Sequence, residues 1–88
     1  MREQISEEKV NTAISNTRNK LFNRLEQKGW GTFASSHEIL GILREEYHEL
    51  EEAIHCNNAD HIEKELMDIA VGAIFAIACI NNKSLDWI

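Results

Sequence analysis

The chain has 88 residues, a mass of 10.1 kDa and a formal charge of -6, with 15 acids against 9 bases. One domain with a modest core is all that this length allows. With no proline, 4 glycines and 43% hydrophobic residues, disordered, collagen-like and mucin-like chains are excluded.

The acidic balance argues against nucleic acid as a partner, because non-specific binding needs clustered Lys and Arg. An anionic ligand would need a metal ion to sit among these acids. Two cysteines, Cys56 and Cys79, without a CxxC, are expected as free thiols in a reducing cytoplasm. The opening MREQISEEKV lacks the apolar stretch of a signal peptide. The longest apolar run, Ile69 to Ile80, is too short to span a bilayer, so no membrane partner is expected.

The first helix is expected from about Glu7 to Lys28. Ser6 is its N-cap, Glu7 and Glu8 favour the first turn, and Gly29 closes it as a left-handed cap. Val10, Ala13, Ile14, Leu21, Phe22 and Leu25 recur at helical spacing. A break follows at Gly29-Trp30-Gly31-Thr32-Phe33-Ala34, whose two aromatics either plug the end of a bundle or contact a ligand.

A second helix runs from about Ser36 to His55, with Ser35 and Glu38 at capping-box spacing. Cys56-Asn57-Asn58 breaks the pattern, and Asn58 caps a third helix from about Ala59 to Ile80. The reading is an all-α antiparallel helical bundle. From Leu66 onward the third helix is apolar almost all round and must be covered on every side. We therefore expect a homo-oligomer, most simply a dimer with a shared four-helix core.

Carboxylates fall where apolar residues belong. Stepping the second helix at about 100° per residue puts Ile39, Ile42, Leu43, Leu50 and Ala53 around Glu46, with Glu49 on the flank. On the third helix Glu65, Val71, Gly72, Phe75 and Cys79 share the face of Asp68. Each inward carboxylate costs several kcal/mol (about 2–5) to desolvate unless paired or bound to metal. Arg18, in the stripe of the first helix, and Lys64 are the available counter-charges, and two cations do not satisfy four acids. A divalent cation does: hard cations prefer carboxylate oxygens, and Mg²⁺ bridges carboxylates to phosphates. It also neutralises an anionic substrate and activates water.

These residues carry a signature. Glu45-Glu46-Tyr47-His48-Glu49 reads EExxE and Glu65-Leu66-Met67-Asp68 reads ExxD, with a helix–helix turn between them. The chain resembles the MazG-like all-α nucleoside triphosphate pyrophosphohydrolases over about residues 29 to 80. The resemblance implies Mg²⁺-dependent cleavage between the α- and β-phosphates, giving a nucleoside monophosphate and pyrophosphate, with Mn²⁺ as a substitute ion. It implies Glu46, Glu49, Glu65 and Asp68 as metal ligands, with Glu46 or Glu49 as proton acceptor and Glu45 in support. The implied oligomer, a homodimer or homotetramer, agrees with the third helix. Trp30 and Phe33 are candidates for stacking on the base, His37 and Glu38 for reading base edges, and Arg18 and Lys64 for contacting substrate. Where many relatives have Gly before the motif Asp, this chain has Met67.

Other readings are weaker. A di-iron bundle uses Glu-x-x-His pairs, but Glu45–His48 and Glu52–His55 fall on the polar side of the second helix. His55, Cys56 and His61 lack standard zinc spacing. The competitor from another class is a catalytically silent helical interaction module of the same fold.

Overall fold

The structure, a computed structural model, describes residues 2–85, which form three helices: α1 (Glu7–Lys28), α2 (Ser36–His55) and α3 (Ala59–Asn81). There is no strand among the described residues. Each N-cap is the residue expected from sequence. The side chains of Ser6, Ser35 and Asn58 accept from the backbone N–H groups of Lys9, Glu38 and His61, satisfying donors that a helix start leaves unpaired.

The α1 C-terminus departs from expectation. The Gly29 N–H donates to the Leu25 carbonyl, and φ is 91°, a value that favours glycine. Its ψ of 172° is extended, however, so the chain leaves α1 straight rather than through a left-handed helical cap.

The α2–α3 connection is tighter. Asn57 takes φ 54°, and two bonds close the end of α2, from Asn57 N–H to the Ile54 carbonyl and from Asn58 N–H to the Ala53 carbonyl. This is the paired pattern of a helix end with a left-handed residue, a conformation Asn tolerates. With Asn58 already capping α3, the reversal is short and α2 and α3 run back antiparallel. Residues equally far from Asn57 on the two helices are therefore brought opposite each other.

Helix α3 lies in the middle. It packs against α2 over much of its length and against α1 over a shorter stretch, whereas α1 and α2 make no direct packing contact. A groove is left between α1 and α2 with α3 as its floor. Gly72 on α3 lets the Leu43 side chain approach closely, 3.6 Å from where a Cβ would stand.

The buried apolar core of the described residues is small: Leu25, Ala53, Val71, Ala76 and Cys79. Of the stripe expected on α1, only Leu25 is buried, and Val10 and Ile14 are exposed. The radius of gyration is 14.8 Å, against about 12 Å for a compact chain of this length. The N-terminal half of α1 therefore projects with little to cover it. On α3, Leu66, Ile74, Ile77 and Ile80 are exposed. No helix of the described residues is long and apolar enough to cross a membrane.

Candidate metal centre and its cleft

The short turn fixes the acidic cluster. Glu49 and Glu65 each stand eight residues from Asn57, and Glu46 and Asp68 each stand eleven. Antiparallel pairing therefore sets Glu49 against Glu65 and Glu46 against Asp68. Spacing of three within each motif keeps both acids of a helix on one side. Each of Glu46, Glu49, Glu65 and Asp68 offers a carboxylate oxygen, and these oxygens lie within 4.8 Å of one another. Glu65 and Asp68 are buried. This is the quartet expected from sequence, and it is the one such group of potential ligands found among the described residues.

Its charge is balanced unevenly. Asp68 Oδ1 accepts from Lys20 Nζ at 2.7 Å and from an Arg24 guanidinium nitrogen at 2.9 Å. Asp68 Oδ2 accepts from Lys64 Nζ at 3.3 Å, and Lys64 also reaches Glu65 Oε1 at 3.3 Å. Burial pushes the Asp68 carboxyl up, but the bonds from Lys20, Arg24 and Lys64 outweigh it and hold the group below its ordinary value. Glu46 goes the other way. Burial raises it, the charges of Asp68 and Glu65 raise it further, and Arg24 and Lys64 only partly compensate. Glu49 is raised by a hydrogen bond shared with Glu65 and then by the charge of Glu46.

Two buried oxygens, Glu46 Oε2 and Glu65 Oε2, have no hydrogen-bond partner. Buried carboxylate oxygens left so are costly. Four hard oxygen donors close together, two carrying orphaned atoms, suit a divalent cation of the Mg²⁺ or Mn²⁺ kind.

Lys64 takes the pairing role foreseen for it, and Arg18 does not. Arg18 lies over the Phe22 ring, 4.9 Å from its centroid, and α1 supplies Lys20 and Arg24 instead. Stepping α1 at about 100° per residue puts Arg18 and Arg24 about 60° to either side of Leu21. The sequence does not say which flank meets the acids.

A cleft of about 430 Å³ adjoins the quartet. Phe33 and Phe75 form an apolar part of its wall, Arg24 and Lys28 line it from α1, and Glu45 and Glu46 from α2. Glu45 is exposed, in keeping with its place off the stripe, yet it shares the cleft with Glu46. Phe33 packs edge-on against Phe75, with centroids 5.4 Å apart.

The other aromatic of the α1–α2 break goes elsewhere. Trp30 is 61% exposed and meets Phe22 edge-on at 5.9 Å. It borders a separate apolar hollow with Ile74 and Ala78. His37 and Glu38 are exposed at the start of α2 and do not line the cleft. His48 pairs with Glu52 at 3.2 Å on the exposed side of α2. Cys56 and Cys79 are both free, the first exposed and the second buried.

The MazG nucleotide pyrophosphohydrolase domain model matches residues 34–86. That span holds α2, α3 and all four acids of the quartet, and it excludes the cations of α1. No curated protein and no solved structure matches the chain.

Proposed function

We propose, from the premise that this chain belongs to the MazG nucleotide pyrophosphohydrolase family, that it is a Mg²⁺-dependent nucleoside triphosphate pyrophosphohydrolase. The observation that carries this reading is the convergence of four carboxylates with two buried, unpartnered oxygens, Glu46 Oε2 and Glu65 Oε2. A quartet kept only for stability would be expected to satisfy those atoms internally. We read residues 1–88 as one domain acting as a homodimer or homotetramer, the partner copy covering Ile74, Ile77 and Ile80 on α3.

Glu46, Glu49, Glu65 and Asp68 would hold the divalent cation, for which Mn²⁺ would substitute. What the cation supplies when bound is neutralisation of the phosphates and activation of the attacking water. In the reaction a water oxygen bonds to the α-phosphorus. The bond from that phosphorus to the oxygen bridging to the β-phosphate breaks, leaving a monophosphate and pyrophosphate. The water's proton passes to a carboxylate. Glu46 and Glu49 are the two candidates to take it, because the ion pairs to the quartet fall on Asp68 and Glu65 and not on them. Phe33 offers a flat apolar surface for the base at the cleft wall, while Glu45 stands at the cleft in support. Trp30, His37, Glu38 and Arg18 lie off this cleft, and any part they play in base recognition would need another side of the molecule or a second copy.

One observation favours the alternative, a silent interaction module: Asp68 already has three intrachain cations. Those cations leave Glu46 Oε2 and Glu65 Oε2 unpaired, which is why the hydrolase reading is preferred.

The test is pyrophosphate release from a panel of ordinary and modified nucleoside triphosphates, with Mg²⁺ and with chelator. Release that needs Mg²⁺ and disappears in Asp68→Asn supports the reading. No release from any triphosphate, together with no rise in melting temperature on adding Mg²⁺ or Mn²⁺, refutes it.

A further inference from the structure

The cations on Asp68 come from outside both acidic motifs. Lys20 and Arg24 sit one turn apart on α1 and converge on the same oxygen, Asp68 Oδ1. None of the hydrogen bonds to Glu46 Oε2 or Glu65 Oε2 that would spread this charge is made. The two heads are not locked in. Their side chains are 27% and 34% exposed, against 5% for Asp68. Arg24 also lines the cleft beside the quartet, with Lys28 one turn further along α1.

A divalent ion held by the quartet would stand next to these two positive heads. Like charges a few ångströms apart in a partly buried site repel, less so where the side chains reach solvent. Asp68 Oδ1 cannot serve the ion and both side chains. Arg24 already borders the cleft, and Lys20 stands one turn before it on α1 with its head on the same Asp68 oxygen. An anionic phosphate chain there would take two charge-assisted hydrogen-bond donors.

We propose that Lys20 and Arg24 bind the phosphate chain of the substrate, and that they are held on Asp68 Oδ1 until a divalent cation replaces them there. The substrate part of this rests on the hydrolase reading; the exchange at Asp68 does not. Two consequences follow from linkage. The α1 cations oppose divalent binding to the protein alone, and the divalent ion frees them for polyphosphate.

Calorimetric titration tests both. Mg²⁺ is titrated into the wild type, Lys20→Met and Arg24→Met, and inorganic tripolyphosphate is then titrated into each Mg²⁺-loaded protein. The expected result is several-fold tighter Mg²⁺ binding by each variant, roughly 3- to 10-fold on removing one adjacent charge. Tripolyphosphate should bind about tenfold more weakly to the loaded variants, the cost of one charge-assisted bond, with Arg24→Lys recovering part of the loss. Unchanged or weaker Mg²⁺ binding in the variants, or unchanged tripolyphosphate affinity, overturns the proposal.

Should either variant not fold, the wild type supplies the measurement. The Arg24 Nε resonance, followed by nitrogen-15 NMR, should move on adding Mg²⁺ and again on adding tripolyphosphate. A signal stationary through both additions overturns the proposal. The two readings fail separately. Both resonance shifts without hydrolysis of any nucleotide would support the exchange and refute the hydrolase. Hydrolysis at wild-type KM in Lys20→Met and Arg24→Met would refute phosphate binding by these side chains, and with it the proposal, and leave the hydrolase standing.

Discussion

Glu49 and Glu65 face each other across the α2–α3 turn, each eight residues from Asn57, and the nearness of Glu65 holds the Glu49 carboxyl above its ordinary value. The same antiparallel pairing sets Glu46 against Asp68. Two pairs of like charges are thus held together by a turn whose geometry has nothing to do with charge.

Stability of the cation-free protein should therefore have a maximum in mild acid. Glu46 and Glu49 are raised in the folded state, so what they contribute is present below the ordinary glutamate value and is lost as pH rises through their folded values. Asp68 is lowered, so its contribution is present above the ordinary aspartate value and is lost as pH falls through its folded value. Melting temperature without divalent ions should rise from pH 7 toward the glutamate range and fall again in stronger acid. Saturating Mg²⁺ should flatten the neutral side, because the ion takes over the proton's role there. A melting temperature that climbs steadily up to neutral pH without divalent ions would contradict this.

Two single substitutions should act in opposite directions. Asp68→Asn strands Lys20 and Arg24 beside a neutral group. Because both cations are about one-third exposed, the loss should be about 1–2 kcal/mol rather than the full cost of breaking a buried pair. Glu46→Gln removes a charge from an oxygen that has no partner and should leave stability unchanged or raise it by up to about 1 kcal/mol. Both should weaken Mg²⁺ binding at least tenfold, of the order of the loss of one carboxylate ligand. Denaturant melts and calorimetry on the same samples read both effects.

Gly72 should accept alanine. The added Cβ would meet Leu43 Cδ2 at 3.6 Å, an ordinary contact, and a mid-helix glycine costs about 1 kcal/mol relative to alanine. Gly72→Ala should raise the melting temperature by about 4–8 °C without changing Mg²⁺ affinity. A drop would mean that α2 and α3 are packed more tightly at this point than the 3.6 Å contact indicates.

Phe33 and Trp30 should separate in binding assays. Phe33 lines the cleft beside the quartet and Trp30 does not. Phe33→Ala should raise KM for a triphosphate by about tenfold, the worth of one base–aromatic stack, with little change in inorganic tripolyphosphate affinity. Trp30→Ala should leave both near wild type in a single chain. Equal effects of the two would place the base elsewhere.

Self-association should depend on α3. Ile77 is 57% exposed in the single chain, and Ile77→Lys should shift sedimentation toward the monomer. An unchanged sedimentation profile would place the contact between copies on another surface.

Most of the fold could be read from local chemistry. Ser6, Ser35 and Asn58 mark the helix starts because each side chain replaces a missing backbone partner. The clustering of the four acids was legible because Glu46 and Asp68 fall in apolar stripes, where a carboxylate needs a partner. What stayed hidden depends on how α1 is rotated about its own axis. Val10 and Ile14 look like core and stay exposed because α3 borders the neighbouring side of α1, that of Thr12, Ala13, Asn16 and Thr17. Lys20 and Arg24 carry no motif, and only the rotation of α1 against α3 distinguishes them from Arg18. Trp30 and Phe33 are three residues apart and part company because the chain leaves Gly29 extended.

The groove also has unequal walls. α2 is joined to α3 by a tight turn and long packing, whereas α1 contributes a single buried residue, Leu25, and its ion pairs to Asp68. When the native state breathes, α1 is the wall that parts first, and its amides should exchange with solvent ahead of those in α2 and α3. What remains in that opened form is the α2–α3 hairpin, with Lys20 and Arg24 carried away from Asp68. The cluster is then at its most negative, so the fleeting species of this protein is also the one with the strongest pull on a passing divalent ion. Loading would then be paced by the opening of a helix as well as by diffusion.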